Sequence, residues 1–210
     1  MSAPATAAPA ARPYYMSQVG FRKFTLDEYH RMIENGVLTD GEPYELLEGN
    51  LVLKMSRGNA HDSALQALAE QFYRVVFAGP AGWSVRGQSA VTLPPDGSEP
   101  EPDLAVVRGN ATTYRDHHPG PGEIGLLVEV ADSSLLVDRH DKGRIYARAG
   151  VPVYWVVNVV DKVIEVYTQP SGPTAAPAYA RRDDYPPGTA VPVVLDGATV
   201  GTVAVAEVVG

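Results

Sequence analysis

Residues 124–131 read Ile-Gly-Leu-Leu-Val-Glu-Val-Ala, and this stretch decides the fold. An apolar run of this length, broken by one glutamate, suits a strand buried on both faces at the centre of a sheet. Side-chain alternation puts Leu126, Val128 and Val130 on one face and Gly125, Leu127, Glu129 and Ala131 on the other. Glu129 is therefore a carboxylate inside a core element. Such a group must meet a cation, a metal ion or a proton donor. A structural ion pair answers that demand as well as a metal does.

Upstream stands Glu101-Pro102-Asp103-Leu104-Ala105-Val106-Val107, a second apolar strand entered through a proline that holds the chain extended. Asp103 opens it. Taken alone, an aspartate at a strand end is an ordinary turn residue. If the two strands are neighbours, however, Asp103 and Glu129 face one cleft. Downstream, Asp132 or Ser133 caps a helix expected to run to Ala149, with Gly150 as its stop. That helix carries Lys142, with Asp138 four residues before it and Tyr146 one turn after. Lys142 reads either as half of an exposed helix pair or as an ammonium turned back towards Glu129. Two carboxylates from different elements, with positions left for water and phosphate, suit Mg²⁺, with Mn²⁺ as a substitute.

The remaining elements frame this centre. Thr25 and Glu28 form a capping box for a helix that Gly36 ends. Tyr44–Leu47 and Leu51–Met55 flank Glu48-Gly49-Asn50 as a hairpin. Asn59 caps a second helix, with Ala64, Leu65, Leu68, Phe72 and Val76 at helical spacing and Gly79-Pro80 as its end. Trp83–Arg86 and Ser89–Leu93 read as extended, and 94–100 as turns. Residues 108–123 form a long polar loop of the kind that often carries function. Val153–Asn158 and Val163–Tyr167 pair as a hairpin, 169–188 reads as irregular because of its prolines, and Ala190–Leu195 and Thr199–Val205 are β-like. Mixed helices and strands around one doubly buried strand predict an α/β (α+β) fold with a mixed sheet.

The 210 residues suffice for one substantial core, expected over 21–210 behind a flexible Ala/Pro-rich tail at 1–20. A net charge of −8 gives no global pull towards nucleic acid, although a local basic groove can sit on an acidic body. The absence of cysteine excludes disulfides and thiolate metal sites and fits a cytoplasmic location. No stretch is long and apolar enough to span a membrane. His117, His118 and His140 lack zinc spacing.

The ordered series resembles the PD-(D/E)XK nuclease superfamily, and within it the bacterial Uma-type restriction-endonuclease family. The matching segments are FTLDEY (24–29), YELLEGNL (44–51), His61, EPDLAVV (101–107), LLVEV (126–130), Asp138 with Lys142, and YARAGVPVYWVV (146–157). The resemblance implies a restriction-endonuclease-like core: a central mixed sheet flanked by helices, with an added N-terminal helix and hairpin and C-terminal strands. It implies Asp103 and Glu129 as metal ligands. The superfamily's usual lysine falls two residues after the glutamate, where this chain has Ala131, and the Uma-type pattern transfers that role to Lys142. Glu45 and His61 also match family positions, Glu45 as a residue reaching the metal through water and His61 as a phosphate contact or proton carrier. Glu101 and Asn158 depart from the family's glutamine and aspartate.

The expected function is Mg²⁺-dependent hydrolysis of nucleic-acid phosphodiester bonds, with DNA as substrate and a homodimer formed through the C-terminal strands. Arg108, Arg115, Arg139 and Arg144 are candidate phosphate contacts. Replacing Asp103 or Lys142 is expected to abolish cleavage and spare the fold. The rivals are a catalytically inactive nuclease-fold module that binds nucleic acid or protein, and a metal phosphoesterase for small substrates.

Overall fold

The computed structural model describes residues 20–39, 41–94 and 97–210. The expected tail at 1–20 therefore lies outside the described residues apart from Gly20, and so does the middle of the turn at 94–100. The elements are α1 (Leu26–Glu34), β1 (Tyr44–Leu47), β2 (Asn50–Leu53), α2 (Asn59–Ala78), β3 (Trp83–Gly87), β4 (Leu104–Arg108) and β5 (Ile124–Ala131). After a helical crossover ending in α3 (Gly143–Ala149) come β6 (Val153–Asn158), β7 (Val163–Pro170), β8 (Tyr179–Tyr185), β9 (Ala190–Leu195), β10 (Ala198–Ala204) and α4 (Val205–Val209).

Strands β3 to β8 form one mixed sheet in sequence order, with β5 at its centre beside β6 and buried at every residue. All pairings are antiparallel except β5–β6. A parallel neighbour can be reached only by a crossover, here the helix between Ala131 and Val153. The crossover lies on the sheet face that carries Leu127, Ala131, Tyr154 and Val156, packed with Ile145, Tyr146 and Val151. The opposite face, with Leu126, Val128, Val130 and Trp155, is covered by Ala64, Leu68, Phe72 and Val76 of α2 and by Val191, Val193, Leu195 and Val203 of the β9–β10 hairpin. The division of β5 into two faces matches its alternation in sequence.

Two glycines answer close approaches. Gly125 lies at a bulge, where the register shifts between Val106 and Val107, and a Cβ there would come within 2.6 Å of the Trp83 ring. Glu48 and Gly49 both take positive φ (50° and 78°), so the β1–β2 connection is a two-residue turn and Asn50 already belongs to β2. A Cβ on Gly49 would meet the Lys23 Cβ at 2.7 Å.

Several expectations need correction. The proline-rich stretch 169–188 contains a real strand, β8, which pairs with β7 from Ile164↔Tyr185 to Pro170↔Tyr179. The prolines do not prevent it, because none lies within Tyr179–Tyr185 and Pro170 only closes β7. Ser89–Leu93 makes one isolated bridge, Leu93↔Ser98, and no strand. The crossover helix starts at Leu135 and opens with a π-helical stretch, Val137–Lys142, before α3. The apolar side of the C-terminal strands packs inside the chain, in one core with α2.

Glu48, at the tip of the first hairpin, clamps that hairpin to α3. Its carboxylate accepts two hydrogen bonds from Arg144, at 2.5 and 2.6 Å, and one from Arg148 at 2.6 Å. Hydrogen bonds from Arg144 outweigh the opposing effect of burial and, with those from Arg148, hold the Glu48 carboxyl down at about 2. The folded state therefore gains from this charge above the ordinary carboxylate range, and the gain is lost as pH falls from about 4.5 towards 2. Glu48→Gln should cost about 2 kcal/mol at pH 7 and flatten the acid limb of stability against pH. Urea unfolding at pH 7 and pH 3 checks this; equal stabilities for the two proteins at pH 7 would refute the clamp.

Candidate functional site

A cleft opens where the start of α2, the β1–β2 hairpin and the crossover helix meet over the ends of β4 and β5. It is lined by Glu45, Lys54, Arg57, His61, Glu101, Asp103, Glu129, Asp132, Ser134, Asp138 and Lys142, among others, and holds about 90 Å³. Glu45, His61, Asp103, Glu129 and Lys142, the candidates drawn from the sequence, all stand in it. None of residues 108–123 lines it, so the long loop plays no part there.

Asp103 directly precedes β4, and the β4–β5 register, Leu104↔Val128, puts it beside Glu129. Its Oδ2 accepts from the Val130 amide at 2.8 Å and lies 3.1 Å from His61 Nε2. Its Oδ1 has only Arg57 nearby among the described residues, at 3.6 Å. Burial raises the Asp103 carboxyl, but the hydrogen bond and charge of His61, the Val130 amide and Arg57 more than offset it, so Asp103 is held below its ordinary range. Burial in turn lowers His61, and its bond to Asp103 overrides this, pushing the imidazole up. The geometry thus makes His61 a buried partner of Asp103.

Glu129 is anchored in the same one-sided way. Its Oε1 accepts from Tyr146 Oη at 2.6 Å and from Lys142 Nζ at 3.0 Å, while among the described residues no hydrogen bond reaches its Oε2. Lys142 also lies 3.3 Å from Glu45 Oε2. Glu45 is buried and takes the Glu101 amide at 3.2 Å. The exposed Asp138–Lys142 helix pair is not what forms: both side chains are buried, at 2% and 7% exposure. Asp138, Lys142 and Tyr146 follow one another at four-residue steps, and the face they share lies on the sheet.

Charge in the cleft is unbalanced. Glu45, Asp103, Glu129 and Asp138 converge on Lys142, Arg57 and His61. Burial pushes Glu129 well above its ordinary range, against Lys142 and with help from Asp138, Asp103 and Glu45. Burial likewise raises Asp138 to about 6. Burial opposes the charge on Lys142, but Glu129, Glu45 and Asp138 together outweigh it and keep the ammonium protonated. The directions agree once the cluster is counted as a whole: His61 and Arg57 offset Asp103, while burial and mutual repulsion raise Glu129 and Asp138 against the single ammonium of Lys142.

The donor set can be tested against a metal ion. Among the described residues no group of three His, Cys, Asp or Glu is arranged to hold one. What the neighbouring strands offer to the cleft includes two carboxylate oxygens, Asp103 Oδ1 and Glu129 Oε2, amid further carboxylates from Glu45 and Asp138. That suits a hard divalent ion that keeps most of its water, as Mg²⁺ does, and not a closed zinc site.

The family model described as "Putative restriction endonuclease", Uma2, matches residues 26–199. The chain belongs to the Uma2 family. Its fold is similar to that of "a putative nuclease belonging to DUF820" from Anabaena variabilis ATCC 29413, known from a crystal structure, with a TM-score of 0.63. The likeness covers 89% of this chain and 97% of that one at 16% identity, and so speaks to the fold alone. No curated protein matches the chain.

Arg57 and Lys54 of this Uma2 chain gain a place in the cleft that their sequence context does not signal, and Asp138, matched to the family together with Lys142, gains one that its helical spacing does not. Arg57 sits in a turn-like Met-Ser-Arg-Gly segment with no periodic signal. Lys54 reaches the cleft by bonding Glu101 at 2.7 Å. Asp138, by its spacing alone, is a surface partner of Lys142. Of the arginines expected on phosphate, Arg139 is bound to buried Glu165, Arg144 to Glu48, and Arg108 to Asp196 at 2.5 Å. None of these three, nor Arg115, lines the cleft. No described helix is long and apolar enough to cross a membrane.

Proposed function

We propose that this chain is a metal-dependent nuclease hydrolysing phosphodiester bonds, with DNA as its substrate. The observation that carries the reading is the matched anchoring of two neighbouring carboxylates. Asp103 is held by Oδ2 and Glu129 by Oε1, and among the described residues each leaves its second oxygen without a hydrogen bond in an acidic cleft. Those two oxygens would hold Mg²⁺ or Mn²⁺. When bound, such an ion supplies Lewis acidity to the scissile phosphate and acidifies water. The chain's own residues do the rest. His61 and the Val130 amide fix Asp103, Tyr146 and Lys142 fix Glu129, and Lys142 bridges to Glu45, on the hairpin wall. Arg57, a third exposed, stands where an incoming phosphate would pass. A homodimer would bring two such sites together.

The test is a panel of duplex DNA, single-stranded DNA, RNA and small phosphate esters, each with Mg²⁺, Mn²⁺ or EDTA. Cleavage of a polynucleotide only with metal is expected. Turnover of small esters alone would replace this reading with a phosphoesterase. The full engagement of Lys142 by two carboxylates favours one second reading, an inactive binding module. Calorimetry decides it: no heat from millimolar Mg²⁺ or Mn²⁺ would leave only that module.

A further inference from the structure

The carboxylate cleft continues into a wider groove of about 710 Å³, whose described lining is Gly41, Pro43, the segment Leu53–Arg57 and Ser133. Its chemistry differs from the rest of the molecule. In a chain of net charge −8, these lining residues include no acid and two cations, Lys54 and Arg57. Beside the cations stand two exposed large apolar side chains, Leu53 at 60% and Met55 at 48%. The bank facing them across the narrow cleft is acidic, with Asp132 and Asp138.

The geometry points to this groove as the binding track for one unpaired nucleic-acid strand, which makes single-stranded or frayed polynucleotide the preferred substrate. The inference rests on the nuclease reading above. A duplex carries a charge every ~1.7 Å along its axis, and a firm grip on it takes several cationic contacts. Here one bank is cationic and the other acidic, so one phosphate chain is accepted and a second is repelled. Lys54 already shares its ammonium with Glu101 at 2.7 Å, and Arg57 lies farther from its own carboxylate, 3.6 Å from Asp103, so Arg57 is the main phosphate contact. In a duplex the bases are stacked and hidden, and Leu53 and Met55 would face only sugar and phosphate. In an unpaired strand the bases splay outwards and can lie against apolar side chains. The 90 Å³ cleft beyond, with Asp103 and Glu129 each 4% exposed, admits a single backbone more readily than a double helix.

The experiment uses the full chain and 5′-labelled oligonucleotides of one sequence: single-stranded DNA, single-stranded RNA and duplex DNA. Binding is read by fluorescence anisotropy in EDTA, and cleavage in Mg²⁺. Single strands should bind and be cut at least about tenfold better than duplex. Leu53→Ser combined with Met55→Ser should weaken single-strand binding about tenfold and leave duplex binding unchanged. Both side chains are exposed, so the fold is not at stake. Duplex preferred over single strands, or a double variant that binds single strands like wild type, overturns the inference and leaves the nuclease reading standing. A wild type that is dimeric in light scattering and made monomeric by the double variant, with strand binding unchanged, also overturns it, because the apolar pair would then meet a second copy. No binding or cleavage of any polynucleotide removes both readings together. The DNA and RNA arms show which sugar is taken.

Discussion

Asp103→Asn should lower metal-dependent cleavage by a factor on the order of 10³ and leave the protein folded. The substitution keeps the size of the side chain and an oxygen for the Val130 amide, which lies 2.8 Å from Oδ2. It removes the charge that raises the His61 imidazole and one carboxylate oxygen, Oδ1 in the proposed site, that would hold a metal. Loss of a charge-assisted bond to a buried imidazole costs about 1–2 kcal/mol, within the reach of an ordinary domain. The measurement pairs initial cleavage rates with a denaturant melt and with calorimetric Mg²⁺ affinity. Cleavage within tenfold of wild type would show that Asp103 is an anchor for His61 and nothing more.

Lys142→Met should behave differently, and here the structure revises the expectation that the fold survives untouched. Lys142 is 7% exposed and bridges Glu129 and Glu45, with Asp138 close enough to act on its charge. Removing one partner of a buried ionic cluster leaves the others uncompensated, at a cost of about 3–5 kcal/mol. Millimolar Mg²⁺ should recover part of that loss, because a divalent ion between Asp103 and Glu129 supplies the missing positive charge. Cleavage should fall with or without that rescue. Urea unfolding in EDTA and in Mg²⁺ reads the effect. Equal stability of the variant and wild type in EDTA would mean that Lys142 does not serve the carboxylates, and rescue absent in Mg²⁺ would count against the metal site.

Local patterns are legible in the sequence where a short-range rule applies. The capping box of α1, with Thr25 Oγ1 accepting the Glu28 amide at 3.1 Å, depends on four consecutive residues. The faces of β5 come from strand alternation, and the stop of α3 at Gly150 from its left-handed φ of 76°. Strand β8 is hidden because prolines at 170, 173, 177, 186 and 187 crowd its surroundings, although none lies within Tyr179–Tyr185 itself. The π stretch is hidden because no one-dimensional periodicity distinguishes it from an α-helix whose inner face is partly polar.

By itself the sequence determined that Glu129 would be buried and would need a partner, since an apolar run on both sides of a carboxylate leaves it no water. It also determined, through the family resemblance, which residues to set beside it. The partner itself was decided only by tertiary structure. Lys142 could have pointed outwards to Asp138, and four-residue spacing alone allowed that arrangement. The parallel β5–β6 pair forced a crossover across the Glu129 face, packing placed the side of that crossover bearing Asp138, Lys142 and Tyr146 on the sheet, and Glu48 pinned the hairpin bearing Glu45 above them. Arg57 and the exposed Leu53–Met55 lip entered the cleft through the same folding, because their place depends on long-range packing that no local pattern records.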